Sequence, residues 1–152
     1  MPMPYKEIIT SFIVCIAAAA LFDPLSTLAA DAEVLRPRVP VDQRDIAKTI
    51  FNPLSSNAEL LEKGKALYQG KAFCIACHGR EGKGLGVDLA LKGALPRDFT
   101  DATWQTSRSD GELYWILKNG SPGTDMAPFI PLVLTEEEAW EVLLYVRSFK
   151  GQ

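Results

Sequence analysis

The chemistry in this sequence concentrates in five consecutive residues, Cys74-Ile75-Ala76-Cys77-His78. Cys-x-x-Cys-His is the spacing of covalent haem attachment. Two thiols three positions apart reach the two vinyl groups on one edge of a porphyrin and form thioethers. The adjacent imidazole then lies under the ring and ligates the iron. Such a tether holds the group even in a small domain. Other chemistries fit parts of the run. A Cys74–Cys77 disulfide would make a thioredoxin-like redox pair, but the βαβ pattern that accompanies one is absent. A zinc site wants four ligands, and His78 is the only histidine in the chain. Chance can also produce a pattern that fixes three positions. Haem attachment is the reading that the rest of the chain favours.

With one histidine, a second axial ligand from this chain is not an imidazole, and methionine is the next choice. The methionines are Met1, Met3 and Met126. Met126 stands in Gly120-Ser121-Pro122-Gly123-Thr124-Asp125-Met126-Ala127-Pro128, a loop rich in Gly and Pro between two helical segments. Such a loop can carry a thioether to the far face of a flat cofactor. A methionine that merely fills a core gap belongs more naturally on an apolar helix face.

The other two methionines lie in a leader. From Ile8 to Phe22, 13 of 15 residues are apolar; Lys6 precedes the run, and Asp23, Pro24 and a stretch of small residues follow it. This is the pattern of a secretory signal peptide, with cleavage expected after Ala30 or Ala32. Asp23 and Pro24 end the run short of the roughly 20 apolar residues of a membrane span. A retained anchor is the alternative, and Glu7 dilutes the positive start. Removal of residues 1–30 takes Cys15 away and leaves only Cys74 and Cys77. An exported chain permits a disulfide, and it is also where covalent haem attachment is expected.

The elements that must position these residues are helical. Ser56 with Glu59, Ser109 with Glu112 and Thr135 with Glu138 are three capping boxes. The first opens a helix with Leu60, Gly64, Leu67 and Tyr68, ending at Gly70. The second carries Leu113, Ile116 and Leu117 and ends at Gly120. The third carries Ala139, Trp140, Leu143, Leu144 and Val146, with Glu136, Glu137 and Glu138 at its positive end and Arg147 and Lys150 at its negative end. No strand pattern is present, and Gly79, Gly82, Gly84, Gly86, Gly93 and Pro96 mark loops between His78 and Ser109. Residues 1–30 are read as signal peptide, 31–55 as a linker or arm and 56–152 as the domain. In the arm a short helix is expected from about Asp42 to Phe51, with Ile46 and Ile50 on one face. The arm is a surface tether or a docking element. Three helices and long loops make a thin core, so something besides side chains is expected to fill it.

The 152 residues suit one domain. A 47% apolar and 23% charged composition excludes disorder along the whole chain and a polytopic membrane protein. The net charge of -3 gives no global reason to bind nucleic acid. No carboxylate pair, Ser/His arrangement or phosphate loop points to a hydrolase or kinase.

In this order the motifs resemble the class I cytochromes c, the small monohaem bacterial members. The resemblance spans roughly residues 56–150. It rests on Gly64 and Tyr68, Cys74–His78, Gly79 to Gly84, Pro96, Trp104, the Asn119–Pro128 loop, and a closing helix with Trp140 and Tyr145. It implies an all-α cytochrome c fold: three main helices and Gly/Pro-rich loops around one haem c, bound through Cys74 and Cys77, with His78 and Met126 on the iron. It implies that the first and last helices cross closely at Gly64, against Tyr145 or Trp140. It further implies a backbone carbonyl near Pro96 that accepts from His78 Nδ1, and it makes Trp104 and Arg97 candidates for the haem propionates. The arm is longer than a minimal domain of this family needs.

His/Met ligation closes both axial positions and leaves the one-electron Fe(III)/Fe(II) couple. The expected function is a periplasmic electron carrier between redox partner proteins, and not an enzyme. Lys71, Lys83 and Lys92 flank the motif and are candidates for a positive docking rim. The alternatives are an anchored or fixed haem subunit of a respiratory complex, with membrane association if the leader is retained, and a gas sensor or haem enzyme in which Met126 is displaced.

Overall fold

The computed structural model describes residues 33–84 and 91–152. The leader expected at 1–30 and Gly86 lie outside the described residues. Leu35–Gln152 forms one compact unit. Among the described residues there are six helices and no strand. They are α1 (Arg44–Lys48), α2 (Ala58–Gln69), α3 (Ile75–His78), α4 (Ala102–Ser107), α5 (Asp110–Asn119) and α6 (Glu136–Ser148). The three main helices are α2, α5 and α6. None of the six is long and apolar enough to cross a membrane.

Two of the three capping boxes form as the sequence implies. Ser109 Oγ accepts from Glu112 N while Glu112 Oε2 accepts from Ser109 N, and Thr135 and Glu138 repeat the exchange. At α2 the expectation fails by one residue. Asn57, not Ser56, is the cap, and its Oδ1 accepts from Leu60 N at 2.9 Å. Asn caps as well as Ser, and this register places Leu60 third in the helix, where Glu59 would have completed a box.

The two long terminal helices cross where the sequence is thinnest. A Cβ on Gly64 would sit 2.1 Å from the Glu141 carbonyl oxygen and 3.0 Å from Tyr145 Cβ. Only a residue without a side chain allows α2 and α6 this approach. Beside the crossing Tyr68 is fully buried, its ring 5.4 Å from that of Tyr145 and 5.6 Å from that of Phe149. Helix α5 joins α6 through a stack of Tyr114 on Trp140, 4.1 Å apart and 9° from parallel.

The segment expected as a linker is folded with the domain. Val39 is 2% and Ala47 1% exposed. Helix α1 turns Ala47 inward and leaves Ile46 outside, contrary to the expected Ile46/Ile50 face. The reason is a second close approach: a Cβ on Gly111 of α5 would lie 1.9 Å from the Ala47 carbonyl oxygen and 2.5 Å from that of Ile50. A small residue suits the inner face at that spacing. Asn52 Nδ2 also donates to the Trp140 carbonyl at 3.2 Å.

Gly64→Ala forces the Glu141 main chain to move, a cost of about 1–3 kcal/mol for overpacking. A urea titration of the protein is expected to show that loss; unchanged stability would mean that the crossing is slack.

Candidate functional site

The site begins at the C-terminal end of α2. Gly70 stops the helix, and Phe73 takes a left-handed φ of +47. That conformation is unfavourable for a residue with a side chain, by about 1–2 kcal/mol. It is held by hydrogen bonds from Phe73 N to Gly70 O at 2.9 Å and from Cys74 N to Tyr68 O at 2.8 Å. The reversal sets Cys74 at the start of the four-residue α3, and one turn brings Cys77 and His78 round beside it. Tyr68 Oη donates to the Gly79 carbonyl at 2.8 Å and ties the far end of this turn back to α2.

Cys74 and Cys77 carry free thiols in this structure. Burial pushes the Cys74 thiol up to about 12. His78 is 9% exposed, and its ring stacks on Phe99 with centroids 4.3 Å apart. Burial pushes its pKa down to about 4, so the ring is neutral at pH 7. Its Nδ1 lies 3.3 Å from the Arg97 carbonyl oxygen. A carbonyl only accepts, so Nδ1 holds the proton and Nε2 keeps the lone pair that a metal needs. The acceptor is the carbonyl one residue beyond Pro96. The Pro96 carbonyl itself packs on Gly84, where a Cβ would come within 2.6 Å. Gly84 N donates to His78 O at 3.0 Å and Phe99 N to Gly82 O at 2.7 Å. The glycine loop and the 96–99 segment are thus stitched around the histidine.

Across from them the Met126 loop is closed on itself. Ser121 N donates to Met126 O at 2.9 Å, and Met126 N to Thr124 Oγ1 at 3.3 Å. Gly120, with φ +79, passes so close that its Cβ would lie 2.8 Å from the Met126 carbonyl oxygen. The side chain of Met126 is half-buried against the core.

Cys74, Cys77, His78 and Met126 all line one cleft of about 280 Å³. Its wall is mostly apolar, and Pro96, Arg97 and Trp104 belong to it as well. Trp104 is 4% exposed, and its ring is tilted against Phe99 at 5.4 Å. Arg97 Nη2 donates to the Arg36 carbonyl at 3.1 Å. The donor set fits a haem: two thiols and an imidazole with a free Nε2 on one short stretch, a thioether from another loop, and an apolar space shared by all. It does not fit a cage of protein ligands, since no group of three or more His, Cys, Asp or Glu able to hold an ion occurs among the described residues.

Several residues that shape the cleft carry no sequence signal. Gln105 is 3% exposed, and its Nε2 donates to Phe99 O and to Val146 O, each at 2.8 Å. Arg147, which the sequence marks only as a favourable charge at a helix end, donates from Nη1 to Gln105 O and Oε1. Its Nη2 reaches Arg108 O, and its Nε meets Asp110 Oδ1 at 2.7 Å. Together these bonds fix Phe99 behind His78. Of the lysines expected as a docking rim, Lys71 is paired with Glu138 at 2.7 Å and Lys83 with Glu81 at 2.9 Å. Lys92 N donates to Asp125 Oδ2 beside the Met126 loop.

A family model described as Cytochrome c matches residues 61–150. No curated protein matches the chain. Among solved structures, it resembles a chain of the Kuenenia stuttgartiensis reducing HAO-like protein complex Kustc0457/Kustc0458. The TM-score is 0.57 and the identity 30%, over 64% of this chain and 47% of that one.

Gln105→Leu keeps the volume and strips the carbonyls of Phe99 and Val146 of a donor. Unpaired buried polar groups cost about 1–3 kcal/mol each. Chemical denaturation of the haem-loaded variant is expected to show a loss in that range, and no loss would remove Gln105 from the support of the site.

Proposed function

The chain belongs to the cytochrome c family and is a c-type haem electron-transfer protein, and on that premise we propose that it is a periplasmic one-electron carrier. It holds one haem c through thioethers from Cys74 and Cys77, with His78 and Met126 as axial ligands. The observation that carries this reading is that these four side chains, from a short helical turn and a loop far apart in sequence, line one mostly apolar cleft.

When bound, the haem supplies an Fe(III)/Fe(II) couple. The protein's part is to bind, orient and shield. The Arg97 carbonyl holds the Nδ1 proton of His78 and directs Nε2 into the cleft. Phe99 fixes the plane of the imidazole. A thioether ligand and a mostly apolar wall both favour the reduced state and raise the potential. His78 and Met126 would hold the iron from the protein side, and ligation by both would leave no place for a substrate, which favours a carrier over an enzyme.

The partners are redox proteins, a donor and an acceptor. With Lys71 and Lys83 engaged by carboxylates, the face around the motif is close to neutral there, and docking depends less on a positive rim. The likeness to a chain whose printed title names a protein complex favours a second reading, in which this chain is a fixed haem subunit of a larger assembly. The leader at 1–30 serves export in the first case and anchors the module in the second. The mature N-terminus separates the two: a start at Asp31 or Glu33 fits the free carrier, and an intact leader fits the anchored subunit.

Carbon monoxide tests the ligand assignment. The reduced wild-type protein is expected to ignore it, and Met126→Ala to bind it with a shift of the Soret band. Ready binding by the wild type would mean an open distal site and would bring sensing or catalysis forward.

A further inference from the structure

The family match begins at residue 61, yet the cleft has a wall that lies outside it. Arg38 and Val39 line the cavity together with Arg97 and Arg108. Val39 is 2% exposed, so this stretch is not a loose tether. It is pinned at three points. Arg44 Nε donates to Val39 O at 2.8 Å, Arg97 Nη2 to Arg36 O at 3.1 Å, and Arg108 Nη2 to Leu35 O. Two of the three pinning side chains, Arg97 and Arg108, themselves face the cleft.

The charge of this wall has a sign. Arg38, Arg97 and Arg108 line the cavity, and among the described residues the carboxylates on the lining are Glu112 and Asp125. Burial lowers the pKa of Arg108, Glu112 nearby offsets part of that, and Arg44 adds to it. Each of these carboxylates also has a main-chain donor: Glu112 takes Ser109 N and Asp125 takes Lys92 N. Three arginines lining one apolar cleft suit a ligand with carboxylates of its own, and a haem carries two propionates.

Resting on the haem reading of the cleft, we infer that residues 35–39 are a strap that completes the haem site, with Arg38 on the strap and Arg108 beneath it receiving the propionates alongside Arg97. The arm thereby becomes part of the cofactor site. It covers a haem edge that the matched domain alone would leave to solvent, and it adds positive charge there. Positive charge beside the haem disfavours the ferric state, which is one unit more positive than the ferrous state. The strap therefore raises the midpoint potential.

The test uses the full chain, expressed with covalent haem, and reads the midpoint potential of Arg38→Gln, Arg38→Lys and Lys63→Gln. Lys63 is on the exposed face of α2, paired with Glu59, and serves as the control for one lost charge. Arg38→Gln is expected to lower the potential below both the wild type and the control, and Arg38→Lys to stay near the wild type. A haem-loaded Arg38→Gln protein with the potential of Lys63→Gln would overturn the strap's role. If Arg38→Gln fails to load, the comparison rests on Arg38→Lys. The lysine keeps the charge, so a potential as low as a charge deletion predicts would also overturn the inference. A wild-type chain without covalent haem would instead overturn the haem reading itself, and the absorption spectrum separates that failure from the others.

Discussion

The fold hangs on the contact between Gly64 and the backbone of Glu141. It joins the helix that leads into the Cys-x-x-Cys-His turn to the helix that closes the chain. Because a main-chain oxygen is the partner, no side chain on α6 can yield to accept a larger residue at position 64. From that fixed point the geometry propagates by short steps. Tyr68, one turn further along α2, is locked between Tyr145 and Phe149 and reaches Gly79 with its hydroxyl. The four-residue α3 therefore has its start and its end referred to the same crossing. A helix that short has little stability of its own, and the long helices lend it theirs.

The loops are held by a different kind of interaction. In the described residues between His78 and α4, main-chain hydrogen bonds tie the chain down: Gly84 to His78, Phe99 to Gly82, and Gly151 to Thr100. Gln105 and Arg147 extend this by supplying buried donors to carbonyls of several segments at once. No buried side-chain polar atom among the described residues lacks a partner. A satisfied polar network specifies one arrangement, because each alternative strands a group. That is the property a redox site needs, since the surroundings of a redox centre must hold their positions.

How much of this the sequence carried depends on the range of the interaction. Cys74, Cys77 and His78 declare themselves because their spacing is local. Met126 follows by elimination among three methionines. The capping boxes at Ser109 and Thr135 are also local and read correctly; the one at Ser56 fails because Asn57 is an equal competitor next door. Gly64 as a crossing point followed from the family resemblance, with Tyr145 as its neighbour. The misreading in the arm has a distant cause: Ile46 lost the inner face of α1 to Ala47 because Gly111, far along the chain, brings a helix too close for isoleucine. The carbonyl that faces His78 Nδ1 is that of Arg97, next to Pro96, as the resemblance implies. Gln105 and Arg108 have no local mark at all, and Arg147 is marked only as a charge at a helix end, since surface positions and network positions look alike in sequence.

On the proposed reading the two thiols are spent on a haem and the cleft is built around it. The most direct measurement is the mass of the intact, exported protein after denaturation, with and without alkylation of thiols. The expected result is a polypeptide carrying the mass of one haem that survives denaturation, with neither Cys74 nor Cys77 reactive. A bare polypeptide would contradict it, whether with two alkylated thiols or with the two-hydrogen deficit of a Cys74–Cys77 disulfide.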